Sequence, residues 1–142
     1  MILQAARHGA LGIARSLGRL GAPVYIVERN PFASPRFSRY VRGRFAWDFE
    51  RPSDEQRVEL LLEAGRSIGR RSILIPTTDN SAIFVAAHAD RLREWFQFQE
   101  MPITLVNALC SKKDMFFLAK RLGIPSPECL FPESRADVLE YN

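Results

Sequence analysis

The sequence contains few of the residues that build metal and disulfide sites. It has two cysteines, Cys110 and Cys129, and two histidines, His8 and His88, in 142 residues. The cysteines have neither the spacing of a zinc site nor the number that a disulfide framework needs. Reduced thiols are typical of cytoplasmic proteins. We therefore expect a cytoplasmic protein with no metal ligands of its own.

Long hydrophobic runs are also lacking. No apolar run approaches the ~20 residues that a membrane-spanning helix needs, and no signal-peptide layout precedes the apolar residues that begin at Ile2. We expect no membrane partner. A hydrophobic share of 46% with 25% charged residues is ordinary for one globular domain. The net charge of +4 is compatible with anionic ligands such as nucleotides.

Nucleophile motifs are absent as well. The sequence has no Gly-x-Ser-x-Gly, no cysteine placed with a histidine, and no carboxylate pair marked by its spacing. The sequence therefore predicts no catalytic residue within these 142 positions.

Strand and helix patterns alternate along most of the chain. An apolar run from Ile2 to Ala6 precedes a glycine loop, a helix over residues 10–17 and a strand at Val24–Val27, which together form a βαβ unit. Further strand patterns lie at residues 43–47, 72–75 and 95–98. This alternation predicts an α/β fold, a Rossmann-like doubly wound parallel sheet with three α/β/α layers.

Three further expectations concern single elements. A helix beginning at Asp54 should bury its inner face of Val58, Leu61, Leu62 and Gly65. The helix after Thr77–Asn80 should bury Ile83, Ala86 and Ala87. Residues 129–131 have a strand-like pattern, and Ser134 should cap a last helix.

Two loops are candidates for a ligand site. Ligands of open α/β sheets bind at the carboxyl ends of the strands, which selects the loops 7–12 and 77–80. Thr78 or Asp79 is expected to cap the following helix, and a substrate role would be additional. The candidate substrate-binding residues are Arg7, His8, Gly9, Thr77, Thr78 and Asp79.

A dinucleotide site is a weaker interpretation of the first loop. Gly9 and Gly12 match the last two glycines of the G-x-G-x-x-G pattern, and Glu28 ends the second strand where a ribose-binding acid would lie. Arg7, however, occupies the first glycine position, where the tight turn needs a residue without a side chain. Glycine used for strand–helix packing is the preferred explanation.

Residues 36–49 interleave arginines with aromatic residues. Such a segment could bind nucleic acid through phosphate contacts and base stacking, but no RNA-binding or zinc-finger pattern accompanies it. Alternating rings more often fill a core or a subunit contact. We therefore disfavour nucleic acid as a partner and keep a homodimer through the Phe37–Trp47 edge as an alternative.

The segment from Ser111 to Pro127 predicts a helix with a defined end. Ser111 is the expected N-cap, Gly123 the left-handed terminator, and Met115, Leu118, Ala119 and Leu122 a buried apolar stripe. Lys112 lies on that stripe and in the first turn, where the helix dipole disfavours a cation. Either an anion lies nearby or the ammonium extends to water, and the spacing alone favours the second explanation.

Several of these motifs resemble one enzyme family. The residues 9–18, Val24–Val27, Phe37–Tyr40 and 112–127 together are similar to the N-terminal (preATP-grasp) domain of ATP-grasp ligases, in the carboxylate-amine ligase group that includes D-aspartate ligase-like proteins. In that family a lysine opens a helix eleven residues before a glycine and thirteen before a proline. Lys112 has this spacing to Gly123 and Pro125.

The resemblance implies a function and a division of the chain. Residues 1–110 would be the preATP-grasp domain, and residues 111–142 a connecting helix and the start of a truncated ATP-grasp lobe. The complete enzyme would use ATP and Mg²⁺ to activate a small-molecule carboxylate for attack by an amine. Lys112 would contact the ATP phosphates. The acidic metal ligands and the glycine-rich lid would lie beyond Asn142, so we expect residues 1–142 alone to be inactive and to bind no cofactor.

Overall fold

The computed structural model describes residues 1–5 and 8–140, with only the backbone described at His8 and Glu140. The chain divides into two compact units, Met1–Ile103 and Thr104–Asn142. The strands are β1 (Ile2–Leu3), β2 (Val24–Val27), β3 (Val41–Phe45), β4 (Ser72–Ile73), β5 (Ile75–Pro76) and β6 (Phe96–Gln97). The helices among them are α1 (His8–Arg19), α2 (Asp54–Ile68), α3 (Asp79–Ala87) and α4 (Ala89–Leu92), with a 3-10 helix at Ser34–Phe37.

Parallel pairing organises the strands of the first unit. A four-stranded sheet has the order β3-β2-β1-β5, and β4 pairs with β6. Each of these described pairs is parallel. Only Leu74 separates β4 from β5. Its N–H donates to the carbonyl of Gln97 over 2.8 Å, and the N–H of Ile75 donates to the carbonyl of Met1 over 2.8 Å. Residues 72–76 therefore act as one extended run that joins the two sheets.

Helices cover both faces of this sheet because successive side chains of a strand point to opposite faces. On one face, Ala10 and Ala14 of α1 pack with Ile2, Val24 and Ile26. On the other face, residues from α2, α3 and α4 form the larger core with strand residues. The main members of that core are Leu3, Val27, Val58, Leu61, Leu62, Leu74, Phe84, Val85, Leu92 and Phe96. The α/β prediction, a Rossmann-like sheet in three layers, is confirmed.

Helix α2 follows its sequence pattern closely. Ser53 accepts a hydrogen bond from the N–H of Gln56, whose side chain accepts one from the Ser53 N–H, and together these make a capping box. The helix ends at Gly69, which has a left-handed φ of 73°. All four residues predicted for its inner face are buried, namely Val58, Leu61, Leu62 and Gly65.

The buried face predicted for α3 is wrong. The helix buries Ser81, Phe84 and Val85, whereas Ile83 and Ala86 are half-buried and Ala87 is exposed. Residues 82–87 are all apolar, so their spacing cannot distinguish one helix face from another. The strand pairing and the cap at Thr78 decide which face meets the core.

The second unit contains α6 (Lys112–Arg121) and α7 (Arg135–Glu140), and α5 (Ile103–Cys110) begins at the last residue of the first unit. Ser111 caps α6 by accepting from the Asp114 N–H over 3.2 Å, and Gly123 has a φ of 67°. Both predicted ends of α6 are confirmed.

Two other expectations for this unit are wrong. The apolar stripe of α6 is not buried, since Met115 and Leu122 are 44% and 62% exposed. Residues 129–131 form no strand. Amphipathic spacing indicates which residues could share a buried face, but burial also requires a partner surface. The second unit, Thr104–Asn142, is a small unit of 39 residues.

We predict opposite effects from two glycine-to-alanine changes in helices. At Gly65 an added Cβ would lie 2.5 Å from the Trp95 Cβ, so Gly65→Ala should lower the free energy of unfolding by about 1–3 kcal/mol. At Gly12 no described atom lies within 4 Å of such a Cβ, so Gly12→Ala should raise it by about 0.5–1 kcal/mol through helix propensity. Urea denaturation measures both. Similar effects at the two positions would contradict the packing at Gly65.

Candidate functional site at the carboxyl edge of the sheet

A cavity of about 240 Å³ lies where β1, β2, β3 and β5 end. Its walls come from the residues that directly follow each of these strands. The lining residues are Gln4, Val27, Glu28, Arg29, Trp47, Asp48, Phe49, Glu50 and Thr78. The cavity therefore lies at the edge of the sheet where the sequence predicted a ligand site, and ligand binding there stays a prediction.

Gln4 connects two sides of the cavity. Its Nε2 donates to Glu50 Oε1 over 3.1 Å, and its Oε1 accepts from the Thr78 hydroxyl. Its φ of 51° makes it the one non-glycine residue with a positive φ in the described part of the chain. A left-handed conformation costs a residue with a Cβ roughly 1–2 kcal/mol. The two side-chain hydrogen bonds and the adjacent strand pairing hold Gln4 in this conformation.

The hydroxyls of Thr77 and Thr78 have structural partners. The Thr77 hydroxyl donates to the carbonyls of Leu3 and Gln4 over 2.8 and 2.9 Å, which extends the contact between β1 and β5 beyond the ladder. The Thr78 Oγ1 accepts from the Ser81 N–H over 3.2 Å and caps α3. Asp79 is exposed in the first turn of α3. Of these three predicted residues, only Thr78 lines the cavity.

Carboxylates outnumber cations in the cavity wall. The lining contains Glu28, Asp48 and Glu50 but a single guanidinium, that of Arg29, which lies 3.0 Å from Asp48. A hydrogen bond from the Glu50 N–H is the main cause that lowers the pKa of the Asp48 carboxyl, and the hydrogen bond from Arg29 is the second. Glu28 Oε1 accepts from the Asn30 N–H over 2.8 Å. The wall therefore presents mainly hydrogen-bond acceptors to a ligand.

Aromatic rings close the base of the cavity. Trp47 stacks on Phe49 with ring centroids 5.9 Å apart, and Phe49 meets Phe84 of α3 edge to face at 5.2 Å. The Arg57 guanidinium lies over both Phe49 and Phe84 and pairs with Asp54. These contacts tie the loop after β3 to α2 and α3, so the cavity wall is supported by the core.

The first predicted loop is described only in part. Arg7 lies outside the described residues, and the side chain of His8 is likewise not described. Gly9 lies in the first turn of α1 and is exposed. No described atom lies within 4 Å of a Cβ built on Gly9 or on Gly12. The packing role expected for these two glycines therefore has no described partner.

Lys112 belongs to the second unit and opens α6. Its side chain is exposed. The adjacent Lys113 lies 3.4 Å from Glu133, whereas no ion pair to Lys112 is found within the described residues. A phosphate contact of Lys112 remains a prediction.

Residues 1–5 and 8–140 contain neither a cluster of metal ligands nor a membrane-spanning helix. No group of three or more His, Cys, Asp or Glu side chains is arranged there to hold a metal ion. No helix of the described chain is both long and apolar enough to cross a bilayer.

Sequence reasoning missed most of the cavity wall. Gln4, Trp47, Asp48 and Glu50 were not among the expected site residues, and Glu28 entered only as a ribose-binding acid. Applying the carboxyl-edge rule to β3 would have selected Asp48 and Glu50, because they follow Phe45 by a few residues. Gln4 directly follows β1, but the apolar pattern extended that strand to Ala6, so the rule selected the loop from Arg7 instead. The hydrogen bonds of Gln4 have partners 46 and 74 residues away, which no local pattern indicates.

Comparison with known proteins gives a fold match without a sequence match. No protein-family model and no curated protein matches the chain. The structure is similar to the crystal structure of an L-amino acid ligase from Bacillus licheniformis, with a TM-score of 0.66 and 14% sequence identity. The match covers 89% of this chain and 30% of the ligase chain. At this identity the similarity shows the fold alone.

We predict that the Thr77 hydroxyl stabilises the carboxyl edge. Thr77→Val removes the donor shared by the carbonyls of Leu3 and Gln4 at nearly unchanged volume, and we expect the free energy of unfolding to fall by about 1–2 kcal/mol. Thr77→Ser keeps the hydroxyl donor, so the free energy of unfolding should fall by less than in Thr77→Val. Urea denaturation monitored by tryptophan fluorescence gives both values. Equal losses would mean that the methyl group, and not the hydrogen bond, is what matters.

Proposed function

We propose that this chain is the substrate-side domain of an ATP-dependent carboxylate-amine ligase. The observation that carries the proposal is the match of 89% of the chain to 30% of a protein named for ligating L-amino acids. The sequence resemblance to preATP-grasp domains, which includes the spacing of Lys112 to Gly123 and Pro125, also supports it. In this scheme residues 1–142 are not catalytic by themselves.

The complete enzyme would form an amide-type bond in two steps. A carboxylate oxygen of the first substrate attacks the γ-phosphorus of ATP, which gives an acyl-phosphate and ADP. The amine of the second substrate then attacks the acyl carbon, phosphate leaves, and the nitrogen loses a proton. ATP and Mg²⁺ supply the activation, and in this scheme the metal ligands and the glycine-rich lid lie on lobes outside residues 1–142.

The two predicted loops would form one wall of the substrate site. Gly9 lies in the first turn of α1, where a helix N-terminus favours a carboxylate. In this proposal Arg7 and His8 would contribute to binding of the carboxylate substrate from the same loop. Thr77, Thr78 and Asp79, which follow β5, would form the other part of the wall of the substrate site. The adjacent cavity, with Glu28, Asp48 and Glu50 in its wall, favours hydroxyl or ammonium groups over carboxylates.

Lys112 would direct its ammonium toward the ATP phosphates. Its exposure at the N-terminal end of α6 leaves it accessible to a nucleotide held by another lobe. We also propose that the protein works in the cytoplasm, where ATP is available and where Cys110 and Cys129 stay reduced.

The test uses the protein made from the full natural reading frame that encodes these residues. We predict ADP release that depends on Mg²⁺, a carboxylate and an amine, measured by a coupled assay over pairs of L-amino acids. Lys112→Ala should raise the KM for ATP by about tenfold or more, because a charge-assisted phosphate contact is lost.

Lys113→Ala is the matched control, since Lys113 is adjacent and pairs with Glu133. It should change the KM for ATP by less than about twofold. ADP release from residues 1–142 alone, abolished by Lys112→Ala, would contradict the proposal that these residues are not catalytic by themselves. A full-length protein that releases no ADP with any pair would overturn the proposed function.

A non-catalytic, self-associating module is the second candidate function. The observation that favours it is the exposure of Phe37, at 74%, in the 3-10 helix that precedes β3, the last strand at one edge of the four-stranded sheet. Light scattering on the purified chain measures the mass in solution. A dimer that becomes monomeric on Phe37→Ser, while Leu139→Ser in the second unit has no effect, would support it. A monomeric wild-type chain would exclude this edge as a self-association surface.

A further inference from the structure

A second cavity lies at the opposite, amino edge of the sheet. It has a volume of about 250 Å³ and is bordered by residues that precede β2 and β4 and by the C-terminal half of α1. None of its lining residues is shared with the cavity at the carboxyl edge. The proposed ligase site and this cavity are therefore separate, although both involve β1 and β2.

The wall of this cavity is mainly apolar. Leu17, Pro23, Val24, Ile73 and Ile75 contribute side chains to it. Ile73 is 61% exposed, so its side chain is accessible to a ligand in the cavity. An engineered cavity of about 150 Å³ is known to admit benzene, so this volume admits an aryl or branched alkyl group.

The charges in the lining all have one sign. Arg70 and Arg71 lie in the loop before β4 and line the cavity, and no carboxylate does. Neither guanidinium forms an ion pair with the described residues. Arg71 is one of the cations that lower the pKa of Glu100, but the main cause is the hydrogen bond from Arg93, and Glu100 is outside the cavity.

The amine of Met1 adds a polar group but little charge. It donates a hydrogen bond to the carbonyl of Ile73, and burial lowers its pKa from 8.0 to about 6. At neutral pH most of the population is therefore uncharged. The positive potential at the cavity comes from the two arginines.

We propose that this amino-edge cavity binds a small organic carboxylate with an aryl or branched alkyl group. The apolar wall would take the hydrocarbon part, and Arg70 and Arg71 would bind the carboxylate by charge-assisted hydrogen bonds. The pairing of an apolar cavity with an unpaired cationic border carries this assignment. It does not depend on the ligase proposal.

The probe is 3-phenylpropionate, titrated into the ¹⁵N-labelled 142-residue chain and followed by backbone amide shifts. We expect saturable shifts at Val24 and Ile73, with a dissociation constant on the order of 1 mM for a ligand of this size. The neutral analogue 3-phenylpropan-1-ol has the same ring and should bind about tenfold more weakly.

Two variants test the charge and the volume separately. The double change Arg70→Gln and Arg71→Gln should raise the dissociation constant about tenfold. The control is Arg15→Gln with Arg66→Gln, which removes the same charge from exposed positions outside the cavity. It should change the dissociation constant by less than about twofold. Ala22→Leu should fill the cavity and prevent binding, with Ala46→Leu as its control. An amide spectrum with unchanged dispersion checks that each variant is folded.

Three results would overturn the assignment. The first is an absence of saturable shifts in the wild-type chain, and the second is equal affinity for the acid and the alcohol. The third is a loss of affinity in the Arg15 and Arg66 control as large as that in the Arg70 and Arg71 variant, because binding would then follow net charge alone. Loss of ADP release in the full-length protein would bear on the ligase proposal and not on this one.

Discussion

The extended run from Ser72 to Pro76 joins the two sheets of the first unit, because its first half belongs to one sheet and its second half to the other. Its first half pairs with β6 and its second half with β1, and the Leu74 and Ile75 N–H groups continue that bonding without a gap. Parallel strands need covered faces, so the βαβ connections that bring these strands together also place helices on both sides. The layers and the two cavities follow from this arrangement.

The two edges of the sheet differ in charge and in stabilising contacts. At the carboxyl edge Thr77 and Gln4 connect the ends of β1, β3 and β5 through side-chain hydrogen bonds, and the wall is rich in carboxylates. At the amino edge the wall is apolar and its charged side chains are arginines. A ligand that suits one edge is therefore disfavoured at the other, and two sites of opposite chemistry can exist on one small sheet.

Much of the fold was predictable because local patterns agreed with the tertiary structure. The strand Val24–Val27 and the caps at Ser111 and Gly123 are confirmed, since capping and β-branched runs act over a few residues. The carboxyl-edge rule predicted where a cavity would lie, but it predicted only part of the residues that line it. Thr78 was expected and lines the cavity, while Gln4, Asp48 and Glu50 reach it through contacts between segments that are distant in the sequence.

The sequence by itself determined the α/β class and the order of most elements, because side-chain periodicity and turn residues are local properties. Only the tertiary structure decided which face of α3 is buried, that no residue of the α6 stripe is fully buried, and that Gln4 adopts a φ of 51°. Each of these depends on which surfaces meet. A run of apolar residues does not indicate its own partner, and a left-handed residue persists only where hydrogen bonds from other strands hold it in place.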